Sequence, residues 1–354
     1  NRALWEREMQ PVDLPHDWLI YDTKNLYEDS IGWYRKRFEY STSGVKCAGE
    51  AAQENLREQS NPVAGNAHTT CDGCVILRFE GVYMDSAIYV NGTKLGEWKY
   101  GYSTFDWDIT EHLREGENEV VLRVVFQAPN SRWYSGAGIY RNVWMIRLPE
   151  THIPLDGIYT SSVATEKGYD LTIDTELEWG TENEDYELEY CLRSAGDSKS
   201  PVATEGMKIF REKQPLTRGQ KKATVTIPVD NPRKWDITDP YLYDLMVRLC
   251  RLPGNDGENG ADGTAQKPET VQKPETTQEE HLRIGFRTIQ FAPDQGFLLN
   301  GRKVRLNGAC DHHDLGALGA AFHKEAMRRK FELMRSMGVN ALRTSHNMPA
   351  VELM

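Results

Sequence analysis

The stretch HKEAMRRKFELMRSMGVNALRTS (323–345) decides the fold class of this 354-residue chain. Its first half repeats apolar side chains at the spacing of one helix face, at Met327, Phe331 and Met334, with Leu333 and Met337 beside them. Gly338 stands where a helix commonly ends, and VNALRTS (339–345) returns to a strand pattern. FLLNGRKVRLNG (297–308) is predicted to be a hairpin with Asn300-Gly301 at its turn. Together with the helix and strand after it, the segment is predicted to be β-loop-α-β, the opening of a parallel α/β unit.

Upstream of this segment the sequence predicts strands with almost no helical period. The alternating stretch GWYRKRFEY (32–40) indicates a strand, and Asn91-Gly92 supplies the residues that a tight hairpin turn requires. At least six short strands favour a β-sandwich or a jelly roll. They are predicted at 32–40, 75–82, twice within 85–98, and at 105–113, 118–126 and 139–148.

A second all-β unit follows, and its strand spacing is typical of an immunoglobulin-like sandwich. Residues 253–280 contain the near-repeat QKPET and are predicted to be a disordered surface loop, and residues 41–73 a long loop or insertion. The strands of this unit are predicted at 157–165, 169–179, 186–193, 222–229, 241–250 and 281–291.

The order of these parts, all-β, all-β and then α/β, suggests two accessory domains in front of a catalytic barrel. The predicted domains are 1–150, 151–291 and 292–354, and the last is the start of an incomplete (β/α)8 barrel. The chain begins with Asn1 rather than Met and stops at PAVELM, so we expect both ends to be cuts in a longer protein.

Charge and hydropathy exclude several classes of protein. The chain has 42 Lys and Arg against 53 Asp and Glu, a net charge of −11. A general binder of nucleic acid or of anionic membranes needs basic patches, so both classes are disfavoured. No apolar run approaches 18 residues, so no membrane span is predicted.

Six cysteines are far too few for a disulfide scaffold. Cys71-x-x-Cys74 is half of a zinc motif that Cys47 or His68 could join, but a structural zinc site needs four ligands at regular spacing. Unligated or locally paired thiols in an insertion are the favoured interpretation, and no metal site is assigned.

Histidine-rich clusters follow the two strands of the predicted α/β unit. The first strand is predicted to end near Gly308, and His312, His313 and Asp314 come soon after it. The second is predicted to end at Ser345, with His346 next and Arg343 on the same side of the strand as Ser345. Active sites of (β/α)8 barrels lie at the carboxyl ends of the strands, and imidazoles suit a hydroxyl-rich ligand. One such histidine alone would more often tie a loop to backbone, but two clusters at matching strand ends favour a site.

Other chemistries find no support in the sequence. SGAGIYR (135–141) lacks the third glycine and the helix of a dinucleotide loop, and neither a P-loop nor a G-x-S-x-G elbow occurs. Asn91-Gly92-Thr93 fits a glycosylation acceptor, although the tight turn explains it fully.

Seven motifs together resemble the N-terminal part of glycoside hydrolase family 2, of the bacterial β-galactosidase kind. The resemblance implies a mainly β chain with a jelly-roll sugar-binding domain, an immunoglobulin-like β-sandwich and the first β-α-β part of a truncated TIM barrel. The motifs are DLPHDW (13–18), GWYRKRF (32–38), RFEGVYMDSAIYVNG (78–92), GYSTFDWDIT (101–110), RWYSGAGIYRNVW (132–144), LNGACDHHDLGALG (306–319) and MGVNALRTSHNMP (337–349).

The resemblance also implies roles for single residues. His312 matches a histidine that touches sugar hydroxyls beside the scissile bond, His346 a second substrate-side histidine, and Arg343 an arginine that supports the catalytic carboxylate region. Trp133 and Tyr134 could stack on a sugar, but packing in a core or interface is the favoured interpretation. The substrate-binding candidates are His312, His346, Arg343, Asp314 and His313.

The family hydrolyses with retention through two glutamates, and the resemblance places both beyond Met354. Asp311 and Asp314 are therefore interpreted as loop caps. The predicted activity of the complete protein is hydrolysis of terminal β-D-galactose from an oligosaccharide or glycoconjugate, and the fragment itself is predicted to be inactive. A β-glucuronidase, a β-mannosidase and a non-catalytic pair of carbohydrate-binding modules stay open as alternatives. Also open are Mg²⁺ or Na⁺ in the full-length enzyme, a homo-oligomer, and bacterial cytoplasm or periplasm as the compartment.

Overall fold

The computed structural model describes residues 9–41, 73–181, 184–194, 208–253 and 273–354. These residues form two compact units, one with residues 9–41, 74–147 and 306–354, and one within Leu148–Arg305. The predicted insertion at 41–73, with Cys47, His68 and Cys71 of the half zinc motif, lies almost wholly outside the described residues. No helix in the described ranges is long and apolar enough to cross a membrane.

The first unit begins with nine strands arranged as a jelly roll. A sheet of four, in the order β1-β7-β4-β5, and a sheet of three, in the order β6-β2-β9, share one apolar core, and β3 pairs with β8. Side chains of β7 alternate between buried and partly exposed along nearly its whole length, as expected of a strand with one face in the core. The strands are β1 (Ser30–Tyr40), β2 (Cys74–Phe79), β3 (Val82–Tyr83), β4 (Ser86–Val90), β5 (Thr93–Trp98), β6 (Phe105–Asp108), β7 (Gly116–Phe126), β8 (Gly138–Ile139) and β9 (Val143–Leu148).

The predicted hairpin at Asn91-Gly92 is confirmed, because β4 and β5 pair across it. Both residues have positive φ, +50° and +86°, which Asn and Gly adopt more readily than other residues. The Asn91 side chain also donates from Nδ2 to the His112 carbonyl at 2.8 Å and accepts at Oδ1 from the Glu119 amide at 2.9 Å. Its amide nitrogen is thus committed to structure, which agrees with the turn interpretation rather than with glycosylation.

The second unit is a β-sandwich of two larger sheets, β10-β11-β14 and β13-β12-β15-β16, with a small sheet β17-β18-β19. The two larger sheets share one core that includes fully buried Leu188, Ile227, Leu245 and Phe286. The strands are β10 (Ile158–Ala164), β11 (Gly168–Glu176), β12 (Tyr186–Ser194), β13 (Lys208–Pro215), β14 (Lys222–Asp230), β15 (Tyr243–Arg251), β16 (Glu275–Ile284), β17 (Ile289–Ala292), β18 (Gly296–Leu299) and β19 (Arg302–Lys303).

One strand of this unit was missed, and two predictions were wrong. Strand β13, KIFREKQP, was not predicted, because its charged side chains obscure the alternation of polar and apolar residues. Its pairing with β12 identifies it as a strand. Strand β16 begins at Glu275, inside the predicted loop 253–280, because polar residues there pair with β15. Residues 281–291 are not one strand but the end of β16 and the start of β17.

The C-terminal segment returns to the first unit as β20 (Gly308–Asp311), α1 (Lys324–Ser336) and β21 (Ala341–Thr344). β20 and β21 pair in parallel, which confirms the predicted β-loop-α-β unit. Gly338 follows α1 with φ +82°, as its predicted place at the helix end requires. The predicted hairpin in 297–308, with Asn300-Gly301 at its turn, is confirmed as β18-β19. The first barrel strand was predicted to end near Gly308, but that strand is β20, which begins at Gly308.

Replacement of Asn91 by alanine tests the turn. The variant should lose about 2–3 kcal/mol of unfolding free energy, because it gives up the partly buried side-chain hydrogen bonds of Asn91 and leaves a Cβ-bearing residue at positive φ without side-chain support. Asn91→Gly keeps the φ and should lose less. Urea unfolding measures both, with Asn130→Ala on an exposed loop as the control. Equal stability of the alanine variant and the unmodified protein would contradict this account of the turn.

Candidate functional site

Two imidazoles meet at the carboxyl ends of the parallel strands. His312 follows Asp311, the last residue of β20, and His346 comes two residues after the end of β21. Their ring centroids lie 5.8 Å apart, with 63° between the ring planes. The Ser345 amide donates to the Asp311 carbonyl at 2.8 Å, which extends the strand pairing to the site, and His346 then turns the chain with φ +67°.

A tryptophan of the jelly roll completes this cluster. The Trp133 ring lies 5.3 Å from the His312 ring and 4.9 Å from the His346 ring, centroid to centroid. Its Nε1 donates to the Tyr102 hydroxyl at 3.1 Å, which fixes the plane of the indole. Trp133, His312 and His346, hereafter the ring cluster, therefore combine side chains from residues far apart in the sequence. The Trp133 ring packs on both imidazoles.

Arg343 is exposed beside the ring cluster. Its Nη2 lies 3.3 Å from Nδ1 of His346, and its Nη1 contacts the Cys310 sulfur at 3.8 Å. The expectation that it shares a side with Ser345 was wrong, because Ser345 is buried while Arg343 is exposed. β21 ends at Thr344, so the strand alternation no longer applies to the next residue.

His313 points away from the ring cluster. Its Nε2 donates to the Ser135 carbonyl at 2.9 Å, and its ring lies against Tyr102 and Tyr140, at 5.3 and 5.6 Å between centroids. Burial lowers the pKa of His313, so the neutral imidazole is favoured. The residue joins the loop after β20 to the jelly roll, and its ring contacts tyrosines rather than the ring cluster.

Lys330 of α1 holds the loop that carries His312. Its ammonium pairs with the buried Asp311 carboxylate and donates to the carbonyls of His312 at 3.1 Å and Asp314 at 3.2 Å. The Asp311 carboxylate is thereby occupied in positioning the loop, in line with its interpretation as a cap. Asp314 contributes its carbonyl to the same lysine.

The chain after His346 is anchored on the jelly roll by Arg141. This buried guanidinium donates to the Met348 carbonyl at 2.7 Å and to the Glu80 carbonyl at 3.2 Å. Asn142 donates to the carboxylates of both Glu80 and Glu352. Burial, with the nearby Glu352 carboxylate, raises the pKa of Glu80.

The supporting residues were not assigned from the sequence. Nothing in the sequence distinguishes Arg141 and Lys330 from other charged residues, because only the folded chain shows which carbonyls they bind. Asp17 is a further buried carboxylate that was missed, although it lies within the quoted motif DLPHDW. An aspartate directly before the aromatic Trp18 was the available signal.

Metal ligation finds no site in the described ranges, where no three His, Cys, Asp or Glu side chains cluster closely enough to hold an ion. Among the described cysteines, Cys191, Cys250 and Cys310 are free thiols.

Three sequence models of one family match successive parts of the chain. The sugar binding domain of glycosyl hydrolases family 2 matches residues 65–149, a further domain of family 2 matches 151–259, and its TIM barrel domain matches 292–354. The chain belongs to glycoside hydrolase family 2.

Individual relatives agree with the family assignment. "Beta-galactosidase BoGH2A" of Bacteroides ovatus is 32% identical over 99% of this chain, and "Beta-glucuronidase" of Bacteroides fragilis is 26% identical over 95% of it. A crystal structure of a family 2 member from Bacteroides cellulosilyticus superposes with a TM-score of 0.74 at 30% identity over 98% of the chain. The chain spans 36%, 43% and 42% of these relatives, respectively.

The buried His313 predicts a pH dependence of stability. Its pKa is lowered in the folded protein, so the unfolded state binds the proton more readily as pH falls below about 6.5. Unfolding free energy should therefore be fully retained above that pH and decline as the pH falls toward the lowered pKa of the folded state.

His313→Gln tests this origin, because glutamine can still donate to the Ser135 carbonyl but does not titrate. The variant should show a shallower decline between pH 6.5 and 5 in thermal unfolding. Some slope remains, because burial also lowers the pKa of His16. An unchanged slope in the variant would show that His313 does not contribute.

Proposed function

We propose that the protein containing this chain is a retaining glycoside hydrolase that releases terminal non-reducing β-D-galactose. The ring cluster is the observation that supports it most directly. Two imidazoles stand at the carboxyl ends of adjacent parallel strands, the end at which (β/α)8 enzymes carry their active sites, and an indole of the jelly roll lies against them. Donor and acceptor nitrogens beside an aromatic wall suit a sugar, which presents hydroxyls around an apolar ring face.

The chemistry of this proposal divides between two parts of the protein. Retaining hydrolysis needs two carboxyl groups about 5–5.5 Å apart, one as nucleophile and one as acid/base. Asp311, which directly precedes His312, is unsuited because its carboxylate is buried and paired with Lys330. We propose that both glutamates come from barrel strands after Met354, and that His312 and His346 bind sugar hydroxyls next to them.

A β-glucuronidase is the second candidate, and Arg343 is the observation that favours it. Its exposed guanidinium lies beside His346, where it could pair with the carboxylate of a glucuronide. Relatives named as β-galactosidase and as β-glucuronidase both match nearly the whole chain.

A panel of p-nitrophenyl β-glycosides tests the proposal on the full-length protein. We expect the highest kcat/KM on the galactoside, and proton NMR of the released sugar should show the β-anomer first, because two inversions restore the configuration. A higher kcat/KM on the glucuronide would replace the first candidate by the second. The 354-residue chain alone should give no turnover, and hydrolysis by the purified chain would contradict the placement of both glutamates outside it.

Alanine at His312 or His346 tests the sugar contacts. Each substitution in the full-length enzyme should lower kcat/KM by about 10- to 100-fold, the equivalent of losing a hydrogen bond of about 1–3 kcal/mol. His281→Ala, on an exposed position of the sandwich unit, is the matched control and should leave kcat/KM unchanged. Retention of normal kcat/KM by both site variants would exclude the ring cluster as the sugar site.

A further inference from the structure

The carboxylate of Asp17 is buried at the centre of the first unit. Asp17 is only 1% exposed. Oδ1 accepts from the amides of Leu19 at 3.1 Å and Ala137 at 3.0 Å. Oδ2 accepts from the Tyr134 hydroxyl at 2.6 Å and the Ala320 amide at 2.8 Å. All four donors are uncharged, so hydrogen bonds alone compensate the lost hydration of this charge.

Two glycines show how closely the surrounding loops approach this carboxylate. Gly136 and Gly319 both have positive φ, +70° and +61°. A Cβ at Gly136 would lie 2.8 Å from Oδ2 of Asp17, and one at Gly319 would lie 2.3 Å from it. Only a residue without a side chain fits at either place, so the backbone of both loops is shaped around the carboxylate.

These two loops carry the ring cluster. Trp133 immediately precedes Tyr134, whose hydroxyl binds Asp17. His312 begins the loop after β20, and this loop ends on Asp17 through the Ala320 amide. His313 and Ser135 form a second link between the same loops. The Asp17 carboxylate therefore holds the two loops that set the spacing of the indole and the imidazoles. None of its four hydrogen-bond donors belongs to those three rings.

We infer that Asp17 is a positioning residue for the sugar site, acting through Tyr134 and Ala320 on Trp133 and His312. This inference rests on the proposed function, because it gives the ring cluster a substrate to align. An asparagine at this position keeps one acceptor oxygen but turns an N–H group toward donors that need an acceptor. The loops should then separate slightly, and errors of about 1 Å in such a site can cost about 100-fold in rate.

The test compares Asp17→Asn and Tyr134→Phe in the full-length enzyme, assayed well below their unfolding temperatures. We expect kcat/KM to fall by about 10- to 100-fold in Asp17→Asn and by a smaller factor in Tyr134→Phe, which keeps the three backbone bonds. Asp22→Asn is the matched control, since its exposed carboxylate accepts only a local bond from the Lys24 amide at 3.0 Å. If Asp17→Asn does not fold, Tyr134→Phe carries the test.

A double-mutant cycle separates positioning from general stability. If Asp17 acts through His312, Asp17→Asn should lower kcat/KM little further in the His312→Ala background. A merely structural effect would instead lower kcat/KM by the same factor in both backgrounds. Full kcat/KM in a folded Asp17→Asn variant, or full multiplication of the two effects, would overturn the inference.

Hydrogen exchange keeps this outcome distinct from failure of the proposed function. Inactivity of the unmodified full-length enzyme on every glycoside would reject the proposed function alone. Asp17→Asn should in either case speed amide exchange in peptides covering both 131–137 and 312–320 while leaving β12 of the sandwich unit unchanged. Exchange unchanged in either loop would overturn the positioning role of Asp17.

Discussion

The first unit depends on one buried charge, the carboxylate of Asp17. A carboxylate removed from water without partners would be prohibitively unfavourable, so the chain must bring donors to it. The donors come from three segments: the residues just after Asp17, the loop after Tyr134, and the amide of Ala320, 303 positions away. This requirement fixes the jelly roll and the start of the barrel against each other at atomic distances.

The site is consequently composite, and each of its rings relies on a different support. The loop that carries His312 is held by Lys330 from α1, and the chain beyond His346 is anchored on Arg141. Trp133 is oriented by Tyr102. The sugar-binding domain therefore does more than add a surface beside a barrel, because its side chains and carbonyls shape the loops at the barrel's strand ends.

Local patterns made much of this architecture predictable. The apolar spacing along α1, the glycine at its end and the Asn91-Gly92 turn each depend on neighbouring residues. They can therefore be predicted without tertiary information. Strand β13 and the first residues of β16 were not predicted, for the opposite reason. Their polar side chains carry no clear alternation, and they become strands because β12 and β15 offer unpaired edges.

The sequence by itself determined the fold class, the family resemblance and the presence of histidines at two strand ends, because these rest on local spacing and on motifs. Only the tertiary structure decided which of those histidines lie together. His312 and His346 meet Trp133, while His313, next in the chain, turns to a backbone carbonyl. The physical reason is that consecutive side chains at a strand end point in different directions. The residues they contact there come from distant parts of the chain.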